Sequence, residues 1–148
     1  MTVTSSTRLT DRLVSRRDLD FMLYEWLDVV GLTSRPRFAE HSAETFGAVL
    51  DLSAQLAARE FAPHNRESDR HEPAIGPDGR VELIPAVRRA VGAYVESGLQ
   101  SASFDHAHGG MQLPVTVQRA CSMWFSAANA STTGYLFLAA AAANLLVD

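Results

Sequence analysis

The sequence predicts an all-α fold, a helical bundle of about five helices with two long loops. Three observations predict it. Apolar residues recur at helical spacing in segment after segment. Pro, Gly and Ser stand at the ends of those segments, where helices start and stop. Alternating strand patterning is missing, except for a short stretch at 80–83.

With 148 residues the chain has the length of one domain, with residues 1–16 expected as a flexible tail and 17–148 as the helical domain. The first helix begins near Arg17. Leu19, Met22, Leu23, Trp26, Leu27 and Val30 form a full stripe at i, i+3, i+4, i+7, i+8 and i+11. Asp18 and Asp20 suit the positive end of the helix dipole, and Gly31 is a plausible stop. Ser42 reads as the N-cap of a second helix carrying Phe46, Val49, Leu50, Leu56, Ala57 and Phe61, which ends before Pro63. The polar stretch 64–79 reads as the first long loop, closing on a Gly76-Pro77-Asp78-Gly79 turn. Pro85 opens a third helix, with Val87, Val91, Tyr94 and Val95 on its buried side and Gly98 at its end. The second loop runs from Gln100 to Gly110. Pro114 then opens a fourth helix carrying Val117, Cys121, Trp124, Phe125 and Ala128. Asn129 to Thr133 reads as a short break or a small-residue crossing. A fifth, almost wholly apolar helix follows to about Val147.

Composition narrows the function classes. The apolar fraction of 47% suits a globular core, and the net charge of -4 argues against a nucleic-acid partner. A lone Cys121 allows no intrachain disulfide, and residues 1–10 show no secretory signal, so a cytoplasmic protein is expected. The most apolar window, 134–147, is short of the roughly 20 residues a spanning helix needs and contains Asn144, so no stable membrane span is expected.

Few residues carry an obvious chemistry. His106 and His108 at i, i+2 read as a solvated loop, since a catalytic zinc usually takes three protein ligands. The polar run 65–70 reads as a structural cross-link through Asp69 to an arginine. Cys121, beside Trp124 and Phe125, reads as packing and not as a nucleophile. Gly109-Gly110 is neither a Walker loop nor a G-x-G-x-x-G element, and reads as a tight loop before a helix. The run from Tyr135 to Ala143 can be core or one wall of an apolar pocket, and periodicity does not separate the two.

Several ordered pieces carry a resemblance. They are the helix Asp18-Leu19-Asp20-Phe21-Met22-Leu23-Tyr24-Glu25-Trp26-Leu27, then Ala62-Pro63-His64-Asn65 with Asp69-Arg70, then Asp78-Gly79-Arg80-Val81 with Pro85. Gly109-Gly110-Met111-Gln112-Leu113-Pro114 and Asn129-Ala130-Ser131 complete the series. In this order the chain resembles the N-terminal helical region of an acyl-CoA dehydrogenase, of the long bacterial class with an N-terminal extension. His108 stands where an aromatic residue often precedes Gly-Gly, and Glu72-Pro73 replaces the usual small residue after Asp-Arg.

The resemblance implies a flavoprotein that holds FAD between a helical domain, a β domain and a second helical domain. Such an enzyme takes the α-proton of a fatty acyl-CoA with a glutamate and passes the β-hydride to flavin. The flavin loop and the base belong to later segments, so no catalytic and no cofactor-binding residue is assigned here. The expectation is a domain truncated before the β domain and inactive alone. It would bind acyl-CoA only in the complete enzyme, with the missing domains or a partner subunit, as a homo- or hetero-oligomer. Tyr135, Leu138 and Ala142, at i, i+3 and i+7, are the substrate-pocket residues it implies. The competing expectation is a non-catalytic helical module that docks a partner or an acyl chain through its last helix.

Overall fold

A computed structural model describes residues 10–147. The fold is all-α apart from one small hairpin. Of the expected tail, residues 1–9 lie outside the described residues. Residues 10–13 are helical, and Leu13 and Val14 pack against the core.

Helix α1, Arg16–Asp20, is capped by the Ser15 hydroxyl, which accepts from the Asp18 N–H. Arg16 donates to Asp20 at 2.8 Å and also pairs with Asp51 of the next helix. The chain then widens into a π-helical stretch, Phe21–Trp26, closed by a Leu27 N–H to Met22 carbonyl bond of 3.0 Å. An i→i−5 bond turns the chain less per residue than an α-helix does, so the 3.6-residue stripe does not survive it. Leu19 and Leu23 are buried, but Met22 and Leu27 are exposed and Trp26 is 69% exposed. The helix also stops earlier than expected. Asp28 adopts a left-handed conformation (φ 46°), and Val29 enters the core instead of Val30. Gly31 is used for space, since a Cβ there would lie 2.7 Å from the Asp28 carboxylate.

Helix α2, Ala43–Leu56, starts with the expected cap and forms a reciprocal box. Thr45 N–H donates to Ser42 Oγ, and Ser42 N–H donates to Thr45 Oγ1. It runs on through π-helical Ala57–Phe61 and a 3-10 turn, Ala62–His64, into helix α3, Asn65–Arg70. The stretch read as loop 64–79 is therefore partly helical. Pro63 ends one ladder, but at the start of the next turn its missing N–H costs nothing. Asp69 makes no ion pair among the described residues; the local pairs join Glu60 to Arg59 and Arg89.

Strands β1, Ala74–Ile75, and β2, Val81–Glu82, pair antiparallel around the expected turn, with Ala74 opposite Glu82 and Gly79 at φ 76°. Helix α4, Pro85–Glu96, buries Val87, Ala90 and Tyr94, while Val95 is exposed. Gly98, at φ 78°, ends it as expected.

Helix α5, Val115–Ala128, packs Val117, Cys121, Trp124, Phe125 and Ala128 against α2, so the core lies between these two helices. Phe125 meets both Phe61 and Tyr94 edge to face, each at 4.9 Å between ring centres. Helix α6, Ala130–Val147, buries only Thr132 and Leu136. By length and composition it is long and apolar enough to cross a membrane, a property the 14-residue window at 134–147 did not reach.

Candidate functional site: the groove between α5 and α6

One residue sets where α6 leaves α5. Asn129 is extended (φ -163°) and fully buried, and it bonds in several directions. Its N–H donates to the Phe125 carbonyl at 2.9 Å, closing α5. Its side-chain oxygen accepts the Thr132 N–H at 3.0 Å, opening α6. Its side-chain nitrogen donates to the Phe61 carbonyl at 3.3 Å and reaches Ser68 of α3. A buried amide satisfied in this way fixes the angle of the helix that follows. Thr132 then hydrogen-bonds with the buried His64 ring at 2.9 Å.

The angle so fixed leaves a groove of about 260 Å³ between α5, α6 and the loop after α4. Its apolar part comes from Phe104, Phe125, Leu136 and Phe137. Gln100 donates to the Leu136 carbonyl at 3.4 Å and ties the loop to α6. Tyr94 lines the inner end, where burial pushes its hydroxyl up to about 12. Arg119 is the charged residue of the lining. Its guanidinium lies 5.7 Å from the centre of the Phe137 ring, and it makes no ion pair among the described residues. A second cavity, of about 320 Å³, shares Ser103, Phe104 and Asn144 with the first. There the cation Arg37 is neutralised by Asp105.

The loop wall is built by Gly110. The N–H groups of Met111 and Leu113 both donate to the Ala102 carbonyl, folding the loop back on itself. Gly110 passes so close to Phe104 that a Cβ would collide with that residue's backbone. Gly109 takes the left-handed turn beside it, at φ 72°. The pair is thus a tight loop, as the sequence indicated, and it holds a groove wall in place.

The other expected residues fall as follows. Thr133, Phe137, Ala140 and Asn144 form the groove side of α6. Tyr135, Leu138 and Ala142 do not line it; they lie about 160° round the helix by its 3.6-residue turn. They are exposed, Leu138 to 68%. His106 is engaged by the Gly110 carbonyl and by Glu40, and His108 borders the second cavity. Among the described residues no cluster of His, Cys, Asp or Glu has metal-binding spacing. Cys121 is buried, and burial pushes its thiol up to about 11, which suppresses the nucleophilic thiolate. Sequence reading missed Phe104, Arg119 and Phe137. The pattern of α6 carried no signal for that face, because the helix is apolar nearly all round after Gly134.

No carboxylate or imidazole lines the groove; its titratable groups are the Tyr94 hydroxyl and the Arg119 guanidinium. It does not fit a flavin dinucleotide. Its volume lies at the foot of the roughly 300–1,000 Å³ usual for a drug-sized ligand, and a dinucleotide is larger. Its lining mixes apolar side chains with Gln100, Gln118, Ser122 and Asn144, so what it fits is a small ligand with both apolar and polar parts.

Part of the chain is similar to a known acyl-CoA dehydrogenase. Over 102 residues, 68% of this chain, it is 29% identical to the broad-specificity linear acyl-CoA dehydrogenase FadE5 of Mycobacterium tuberculosis. The match spans 17% of that relative's length. No family model matches the chain, and no solved structure matches it. The similarity supports the acyl-CoA dehydrogenase family at most.

Proposed function

We propose that this chain is the N-terminal, acyl-pocket domain of a cytoplasmic acyl-CoA dehydrogenase-like flavoprotein. The observation that carries the reading is the groove: a cavity of about 260 Å³ whose apolar part is formed by Phe104, Phe125, Leu136 and Phe137, in an all-α chain that is similar to a linear acyl-CoA dehydrogenase. An unbranched acyl chain suits its apolar part. Phe104, Leu136 and Phe137 would exclude water from the chain, and the loop held by Gly110 would set its depth.

FAD and the catalytic base would then come from polypeptide beyond the described residues, so dehydrogenation of acyl-CoA belongs to the complete, oligomeric protein. The outer face of α6, with Tyr135, Leu138, Leu145 and Leu146, is where that polypeptide would pack. Tyr135, Leu138 and Ala142 would meet substrate only as part of a wall completed there. The same exposed face favours a second reading, a helical docking module without chemistry.

Co-expression with the polypeptide encoded in continuation or alongside separates the two. The expected product is a yellow complex that contains FAD and oxidises a linear acyl-CoA. A complex without flavin, or a flavin-loaded partner that does not hold this chain, overturns the proposal.

A further inference from the structure

We infer that the groove between α5 and α6 selects a linear chain ending in a carboxylate, and that Arg119 reads the charge. The inference rests on the acyl-groove reading above and adds the chemical class of the ligand's end.

The charge balance of the two neighbouring cavities carries it. In the outer cavity Arg37 is matched by Asp105. In the α5–α6 groove Arg119, which is exposed, makes no ion pair among the described residues, and no carboxylate lines the cavity. Its guanidinium lies over Phe137, itself a groove residue. A cation–π contact of this kind uses none of the guanidinium's N–H donors, which can then turn to a ligand. Around it stand Gln118, Ser122 and Asn144, neutral groups that can hydrogen-bond an oxyanion without repelling it. A groove with an apolar part and one unmatched, planar cation is complementary to an apolar chain with one planar anion. A carboxylate meets the guanidinium fork with two parallel hydrogen bonds. The ligands that present this chemistry are fatty acids and acyl groups with a carboxylate at the far end.

The test uses calorimetric titration of the purified chain with decanoate, with decanol as its uncharged counterpart, and with coenzyme A alone. Decanoate is expected to bind about tenfold more tightly than decanol, the size of one charge-assisted hydrogen bond near a surface. That preference should shrink with added salt. R119Q should abolish it, and R119K should restore part of it. Circular dichroism would check that both variants fold. Equal binding of decanol and decanoate, or a preference that survives R119Q, overturns the inference and leaves the acyl groove standing. Binding of coenzyme A alone that depends on Arg119 as strongly as decanoate does overturns the carboxylate assignment. Failure of both decanoate and decanol to bind overturns the inference and the groove reading together.

Discussion

His64 and Thr132 are far apart in the chain and 2.9 Å apart in space, ring nitrogen to hydroxyl, with both side chains buried. This bond ties the turn before α3 to the first turn of α6. It is therefore one of the few polar links between the core and the helix that forms the groove.

The link gives stability a pH dependence. Burial pushes the His64 imidazole below its ordinary value, helped by Arg89 and opposed by a backbone hydrogen bond at Glu60 and by Glu67 and Glu60. The unfolded chain then binds the proton more readily than the folded one, so stability rises with pH between the two values. It is complete above the ordinary histidine range near 6.5 and declines as pH falls below it. Thermal unfolding from pH 8 down to pH 5 should show this decline. H64Q should flatten it, and an unchanged slope in the variant would assign the decline to carboxylates elsewhere.

Asn129 should be costly to truncate. N129A removes the cap of α6 and leaves the Phe61 carbonyl without its side-chain donor. A lost cap and an unsatisfied buried carbonyl together cost about 2–4 kcal/mol. Urea denaturation measures the sum. A loss well under 1 kcal/mol would mean that α6 is oriented by its apolar contacts and not by this amide.

The two glycines of the loop should respond differently. A Cβ at Gly109 meets nothing within 4 Å, so G109A carries only the strain of a left-handed backbone, about 1 kcal/mol. G110A would drive into the Phe104 backbone and displace the groove wall. Denaturation should show the larger loss for G110A, and ligand binding should fall with it. Equal losses would show that the loop yields without moving Phe104.

The outer face of α6 offers a separation of fold from assembly. L138E places a charge on a residue that is already 68% exposed, so the melting temperature of the chain should stay within a degree or two of the wild type. In co-expression the same variant should lose the flavin-carrying polypeptide. Retention of that polypeptide, seen by size-exclusion chromatography, would put its contact elsewhere.

Much of the framework was legible in the sequence. Ser42, Pro85, Gly98 and Pro114 mark helix ends by backbone chemistry that depends on few neighbours. The first helix was misread past Asp20 because apolar spacing does not reveal a change from α to π winding. Helix α3 was hidden because Pro63 reads equally as the end of one helix and the first turn of another. The groove was the hardest feature to foresee. Helix α6 is apolar all round, so its pattern names no inner face, and the face is set by Asn129 and His64 from outside the helix. The resemblance pointed to the helix, and the structure distinguishes its two sides.

The account depends most on an acyl chain entering between α5 and α6, and amide-resolved NMR titration of the chain with a linear acyl-CoA tests that directly. Saturable shifts are expected at Phe104, Thr133, Phe137 and Ala140, with the β1–β2 hairpin unmoved. Shifts that scatter over the surface, or that gather on Tyr135, Leu138 and Ala142 while the groove stays silent, would contradict it.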